Sequence, residues 1–244
     1  MNNVRTVSDT KRAFYAQHNR PISSLYQRVV EELMVEMHLL SVNVDFAYDP
    51  IYALGVVTTF ERFTQGYTPE SGRQSIFTAL VQSVGDSPEQ YRQDAEALQS
   101  SVAGLSLADL KAQFAAAKEQ GGSLLQDTLH KVANNPKFKY SRLFAIGLYT
   151  LIESADAEAL KDKAQRDALL QEVAEALGLG PEQFVKDLDL YRSNLDKMSQ
   201  AAAVMKDILE AGRKKREERA KGKEAVTEQP GDTSEDPESK PETV

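Results

Sequence analysis

Apolar residues fall at helical spacing along nearly the whole of this chain. In the first fifth, Tyr26, Val30, Leu33, Met37, Leu40 and Val44 recur in steps of three and four, which lines one face of a helix. Asn19-Arg20-Pro21 separates this stripe from an earlier polar-apolar segment, so the stretch Val7 to Leu40 reads as two helices. Ser8 is the expected N-cap of the first, with Asp9 in its opening turn. The second is expected to run to about Phe46 and to stop before Asp49-Pro50.

Helix punctuation dominates the next stretch. Pro50, Pro69 and Pro88 are spaced by 19 residues, and Gly66, Gly85 and Gly104 each follow one of them by 16. Proline fits the first helical turn and glycine the position just past the last, so the spacing predicts three helices of about four turns joined by tight corners. The side chains between these marks do not repeat well, which favours equal helix lengths in a compact bundle over a tandem repeat. Ser106 with Asp109 forms a capping box that uses the shorter acid; its helix is expected to end at Gly121-Gly122. Another helix is expected from Ser123 to Asn134. Residues 138–153, FKYSRLFAIGLYTLIE, are apolar on nearly every face and predict the core helix, although periodicity alone leaves a short buried strand open there. Asp156 to Leu177 reads as a charged amphipathic helix stopped by Gly178-Leu179-Gly180.

Pro181 opens the longest segment. Phe184, Leu188, Tyr191, Leu195, Met198, Ala202, Met205 and Leu209 alternate steps of four and three, the 3.5-residue period of a coiled-coil seam. A helix continued to about Gly222 would reach about 60 Å, so its end is expected to project. The seam from Phe184 to about Met198 is expected to pack within the bundle, against the stripe from Tyr26 to Val44, leaving the later part for a partner. Residues 213–223 then carry seven basic and two acidic side chains, and residues 224–244 seven acidic, one basic and three prolines. That last stretch lacks the apolar surface to order itself. The expected fold is therefore all-α: a multi-helix bundle over residues 1–180, a long C-terminal coiled-coil-like helix over 181–223, and a disordered acidic tail over 224–244.

Composition removes several classes of function. With no cysteine, disulfides, thiol catalysis and cysteine-ligated metals are excluded. A net charge of −8 argues against a nucleic-acid binder, whose footprint is basic. The most apolar window, Phe144 to Ile152, is about half the roughly 18–20 residues needed to cross a bilayer. Met1 leads into the first helix through polar residues without an apolar segment, so no signal peptide is expected.

Candidate chemistry is sparse. His18, His38 and His130 show no ligand spacing; His18 falls at a predicted helix end, where a cation suits the dipole. Glu31, Glu32 and Glu36, with Asp187 and Asp189, lack the Glu-x-x-His pairs of a di-metal bundle and read as solvated faces. Neither G-x-S-x-G nor a Walker A loop occurs. No catalytic, cofactor or metal residue is assigned, and no cofactor is expected. The candidate partner or membrane surface is Met198, Ala202, Met205 and Leu209 with Arg213, Lys214, Lys215, Arg216, Arg219, Lys221 and Lys223. The cations could meet anionic headgroups, favour the helix C-terminus or keep an exposed coil soluble.

Three blocks, Thr6 to Leu40, Asp49 to Tyr67 (DPIYALGVVTTFERFTQGY) and Phe138 to Glu153, give the chain an identifiable kinship. In sequence, order and spacing they resemble the thylakoid formation family, and the resemblance spans about Thr6 to Gly212. It implies a helical, non-enzymatic accessory protein of photosystem II assembly and repair, associated with FtsH-type thylakoid proteases and supporting their accumulation. It further implies a cyanobacterial member without the transit peptide of plant relatives, peripheral on the cytoplasmic side of the thylakoid. Photosystem II assembly intermediates and an anionic lipid surface are the other partners considered; nucleic acid is not. The family supplies no catalytic residues to carry over. The alternatives are a peripheral lipid-binding or membrane-remodelling protein anchored by residues 213–223, and a helical enzyme built on Glu31, Glu36 or His38.

Overall fold

The computed structural model describes residues 5–119 and 121–227, with side chains described as far as residue 216. All regular structure among the described residues is helical. The helices are α1 (Val7–Gln17), α2 (Ser24–Ser41), α3 (Pro50–Phe63), α4 (Glu70–Ser83), α5 (Pro88–Val102), α6 (Leu107–Ala115), α7 (Leu124–Ala133), α8 (Arg142–Ala155), α9 (Lys163–Ala176) and α10 (Pro181–Thr227). The chain divides into two compact units, Met1–Gln200 and Ala201–Val244.

Local chemistry fixes the helix ends. The cap of α1 is Thr6, two residues before the expected Ser8. A capping box needs an acid three residues on, and Asp9 satisfies that for Thr6: the Thr6 N–H donates to the Asp9 carboxylate at 3.0 Å, and the Asp9 N–H to Thr6 Oγ1 at 3.2 Å. The Ser106–Asp109 box opens α6 as the sequence predicts. The proline–glycine rhythm is also real. Pro50 and Pro88 lie in the first turns of α3 and α5, Pro69 caps α4, and Gly66, Gly85 and Gly104 take φ of +83°, +97° and +83° just beyond the helices, a conformation only glycine adopts freely.

Five expected boundaries move. Helix α2 stops at Ser41 rather than Phe46, because Asn43 Oδ1 accepts from the Asp45 N–H at 2.9 Å and turns the chain; Val44, placed in the stripe by its spacing, is 96% exposed. Helix α6 stops at Ala115, not at Gly121, and Gln126 Nε2 donates to the freed Ala116 carbonyl at 2.6 Å. Helix α8 starts at Arg142, four residues after Phe138, where Ser141 caps it. The charged stretch from Asp156 to Leu177 is not one helix: the Asp156 side chain receives the N–H groups of Glu158 and Ala159, a 3-10 turn follows at Glu158–Leu160, and Asp162 caps α9 afresh. Helix α10 passes Gly222 and includes residues 224–227, which the sequence assigned to the acidic tail. The disorder expected for the rest of that tail, residues 228–244, concerns residues outside those described.

Within the first unit, α3 and α8 form the centre. Every residue from Leu143 to Ile152 is buried, in helix and not in strand. The two helices approach closely because each presents a glycine to the other. A Cβ at Gly55 would stand 1.7 Å from the Leu143 carbonyl oxygen, and one at Gly147 would stand 1.9 Å from that of Ile51. One apolar cluster gathers α1, α2, α3 and α4 around Phe14, Met34, Met37 and Phe77. The other gathers α5 to α9 and the start of α10 around Phe114, Phe144, Leu148 and Phe184.

The seam of α10 enters the bundle, but on a different neighbour from the one expected. Phe184, Leu188 and Tyr191 are buried in the α8-centred cluster and not against the α2 stripe. Tyr191 meets Phe63 and Tyr149 at ring-centroid separations of 5.8 and 6.3 Å, and buried Asp187 accepts from the Tyr140 hydroxyl at 2.9 Å. The α2 stripe is taken up instead by α1, α3 and α4. Met198 alone of the α10 seam touches both clusters.

Candidate functional site

The expected surface on α10 divides in two. Met198 is half-buried against the bundle core, so it serves packing. Within the second unit, Ala202 is half-buried, whereas Met205 and Leu209 are 39% and 66% exposed. Two neighbours absent from the heptad reading, Val204 and Ile208, are 59% and 61% exposed. Their i, i+4 spacing beside the seam was the available signal; a strict 3.5-residue count passes over them. Together Val204, Met205, Ile208 and Leu209 make one apolar stripe on a polar helix, whose Lys206 and Glu210 approach at 4.0 Å. One turn later Arg213, Lys214, Lys215 and Arg216 are all exposed. Arg219, Lys221 and Lys223 lie on the same helix, with side chains outside those described.

A second surface was not anticipated. An open groove of about 1070 Å³ runs along the outer side of α2, with Tyr140, Arg142, Leu190 and Asn194 on its opposite wall. Its apolar floor includes Val35 and Leu39, and its charges come in pairs: Lys11 with Glu31 at 3.3 Å, Arg28 with Glu32 at 2.8 Å, and Arg142 with Glu36 at 2.7 Å. Of the carboxylates read as a solvated face, only Glu32 is mostly exposed; Glu36 keeps 19% of its side-chain surface. Hydrogen bonding from Gln27 holds the Glu31 carboxyl below its usual range. Burial, with the Asp187 carboxylate beside it, pushes the Tyr140 phenol well up. Two of the three ion pairs link α2 to α1 and to α8, each worth about 0–1 kcal/mol at this exposure, and the third lies within α2.

The histidines also serve packing. His18, placed at a helix end where a cation suits the dipole, is 2% exposed, and its Nδ1 lies 2.9 Å from Ser75 Oγ on α4. His38 is 3% exposed, and its Nδ1 lies 2.8 Å from Thr10 Oγ1 on α1. Burial lowers the pKa of both rings, which keeps them neutral and pins α1 from two sides. Among the described residues no three His, Asp or Glu side chains cluster as a metal site would require, and no helix is long and apolar enough to cross a membrane.

Bundle, exposed apolar helix stripe and cationic turn define an all-helical protein among the described residues. A more particular identification comes from likeness to known proteins. The thylakoid formation protein family model matches residues 6–220. Protein Thf1 of Nostoc sp. is 59% identical over 217 residues, covering 88% of this chain and 93% of that one. Protein Thf1 of Crocosphaera subtropica is 58% identical over 216 residues, covering 88% of each. The solved structure of Psb29 superposes with a TM-score of 0.75 at 43% identity, covering 87% of this chain and 98% of that one. The chain belongs to the thylakoid formation protein family.

Proposed function

We propose that this protein is a non-enzymatic accessory factor of thylakoid membrane biogenesis and of photosystem II assembly and repair. In this reading it works at the periphery of the thylakoid membrane, on the cytoplasmic side, by associating with an FtsH-type protease complex and supporting its accumulation. The family match over residues 6–220 carries the reading, since it spans the bundle and most of α10. The resemblance suggests the protease association; an apolar helix stripe, Val204 to Leu209, exposed among the described residues, is compatible with it. An exposed amphipathic helix face is a common docking element, read by its i, i+3 and i+4 anchors.

The test is co-precipitation from detergent-solubilised thylakoids with the tagged full chain, followed by immunoblotting for the protease. The full chain retains the protease, and a chain cut after Ala201 does not. Equal retention by both would move the contact off α10, and no retention by the full chain would end the association.

A further inference from the structure

We propose that the cationic turn Arg213–Arg216 of α10 binds an anionic lipid surface. Four consecutive cations, all exposed, occupy one turn of a helix that continues to Thr227. Successive residues of an α-helix point about 100° apart, so these four side chains leave the helix on four different sides. A folded protein partner presents an acidic patch of limited extent to one side of a helix and would pair directly with at most two of the four. A sheet of anionic headgroups behaves differently. Its field extends about 10 Å at moderate ionic strength, and a helix is about 10–12 Å across, so all four cations of a helix lying near the surface feel it.

The rest of the molecule constrains how this binding behaves. The chain as a whole carries a net charge of −8 and is repelled by the same surface. In sequence, Glu217 and Glu218 follow the cationic turn at once, and residues 228–244 carry six further acids. Binding is therefore local, short-ranged and salt-sensitive. The apolar stripe is short of membrane-inserting character: Val204, Met205, Ile208 and Leu209 include no aromatic residue, whereas in-plane membrane helices favour Trp and Phe beside Leu. The stripe and the cationic turn are consecutive along one helix, an order that suits a protein contact immediately beside headgroups. The lipid assignment deepens the functional reading in that sense, yet it stands on the cations alone.

The experiment is flotation of the purified full chain with phosphatidylcholine vesicles, with and without phosphatidylglycerol. The chain floats only with the anionic vesicles, and added salt releases it. Replacing the four cations (Arg213→Gln, Lys214→Gln, Lys215→Gln and Arg216→Gln) weakens vesicle binding by on the order of a hundredfold or more, at the usual contribution of each basic residue near such a surface. The pair Ile208→Ser and Leu209→Ser changes it by less than about threefold, because the stripe does not insert. All six positions are exposed, and far-UV circular dichroism verifies that each variant keeps its helices. Absence of flotation, equal flotation with both vesicle types, or indifference to the four substitutions overturns the proposal. So does binding to duplex DNA as tight as to the anionic vesicles, which would mark a general polyanion site. No protein is present in the vesicles, so failure here leaves the protease association untouched, and failure of co-precipitation leaves this proposal untouched.

Discussion

Replacing Gly147 with alanine adds one methyl group where α3 and α8 run closest. The new carbon would stand 1.9 Å from the Ile51 carbonyl oxygen, 2.9 Å from its carbonyl carbon and 3.0 Å from Ile51 Cγ2. Carbon and oxygen approach comfortably to about 3.3 Å, so the helices must part by about 1.4 Å there. Two of the three obstructing atoms are backbone, and no rotamer change relieves them. A gap of 0.5–1 Å already forfeits a quarter to a half of a dispersion contact, and the gap would open along a helix buried from Leu143 to Ile152. Overpacking of this kind costs about 1–3 kcal/mol and more where backbone must move. Alanine's better helix propensity returns about 1 kcal/mol of it. At the upper end of that range the expected net loss is about 2 kcal/mol, a sizeable part of the roughly 5–15 kcal/mol that holds a domain together. Urea unfolding followed by far-UV circular dichroism measures it, read as a lower midpoint at unchanged slope. A variant as stable as the parent would refute the close glycine-to-glycine crossing on which the first unit is built.

Other outcomes follow from the same structure. Gly212→Ala meets nothing within 4 Å, so it gains up to about 1 kcal/mol of helix stability, seen as slower amide exchange around Ile208 to Arg216. Thr6→Ala removes the capping box of α1 and costs about 1 kcal/mol, measured by chemical denaturation. The two buried histidines make stability depend on pH. Their folded pKa values lie below the ordinary 6.5, mainly through burial, with Arg20 acting on His18 and Arg5 on His38 in the same direction and Asp9 opposing at His38. The unfolded chain therefore takes up these protons first, so their contribution is complete above about pH 6.5 and declines as pH falls below it. Asp49, pushed up to about 6 by burial, acts in the opposite sense and gains stability as pH falls through that value. An Asp49→Asn background should thus show a steeper acid decline, which His18→Gln with His38→Gln flattens; an unchanged decline in the latter would contradict the assignment.

Elements marked by local chemistry were legible in the chain, and those decided by distant neighbours were not. Proline and glycine placed α3, α4 and α5 because each acts through its own backbone. The all-apolar run around Leu148 announced a core helix for a similar reason: no polar face remains to meet solvent. The break at Asp156–Asp162 escaped because two aspartates turn the backbone with their side chains while the charge pattern continues across them. His18 shows the limit most plainly. Its position at the end of α1 is local, but its burial depends on Ser75, 57 residues away. The α2 groove likewise exists only because α10 brings Leu190 and Asn194 opposite Leu39. On the candidate surface, the seam located the right helix, while Val204 and Ile208 carry the exposure beside it.

The central claim is that the exposed stripe on α10 meets a membrane-protease partner. A photoreactive residue at position 208, activated in isolated thylakoid membranes, reports its neighbour directly. The account predicts a covalent adduct with a subunit of the FtsH-type protease, absent when the same residue is placed at Arg28 in the α2 groove. Adducts to lipid only, or the same adduct from both positions, would contradict it.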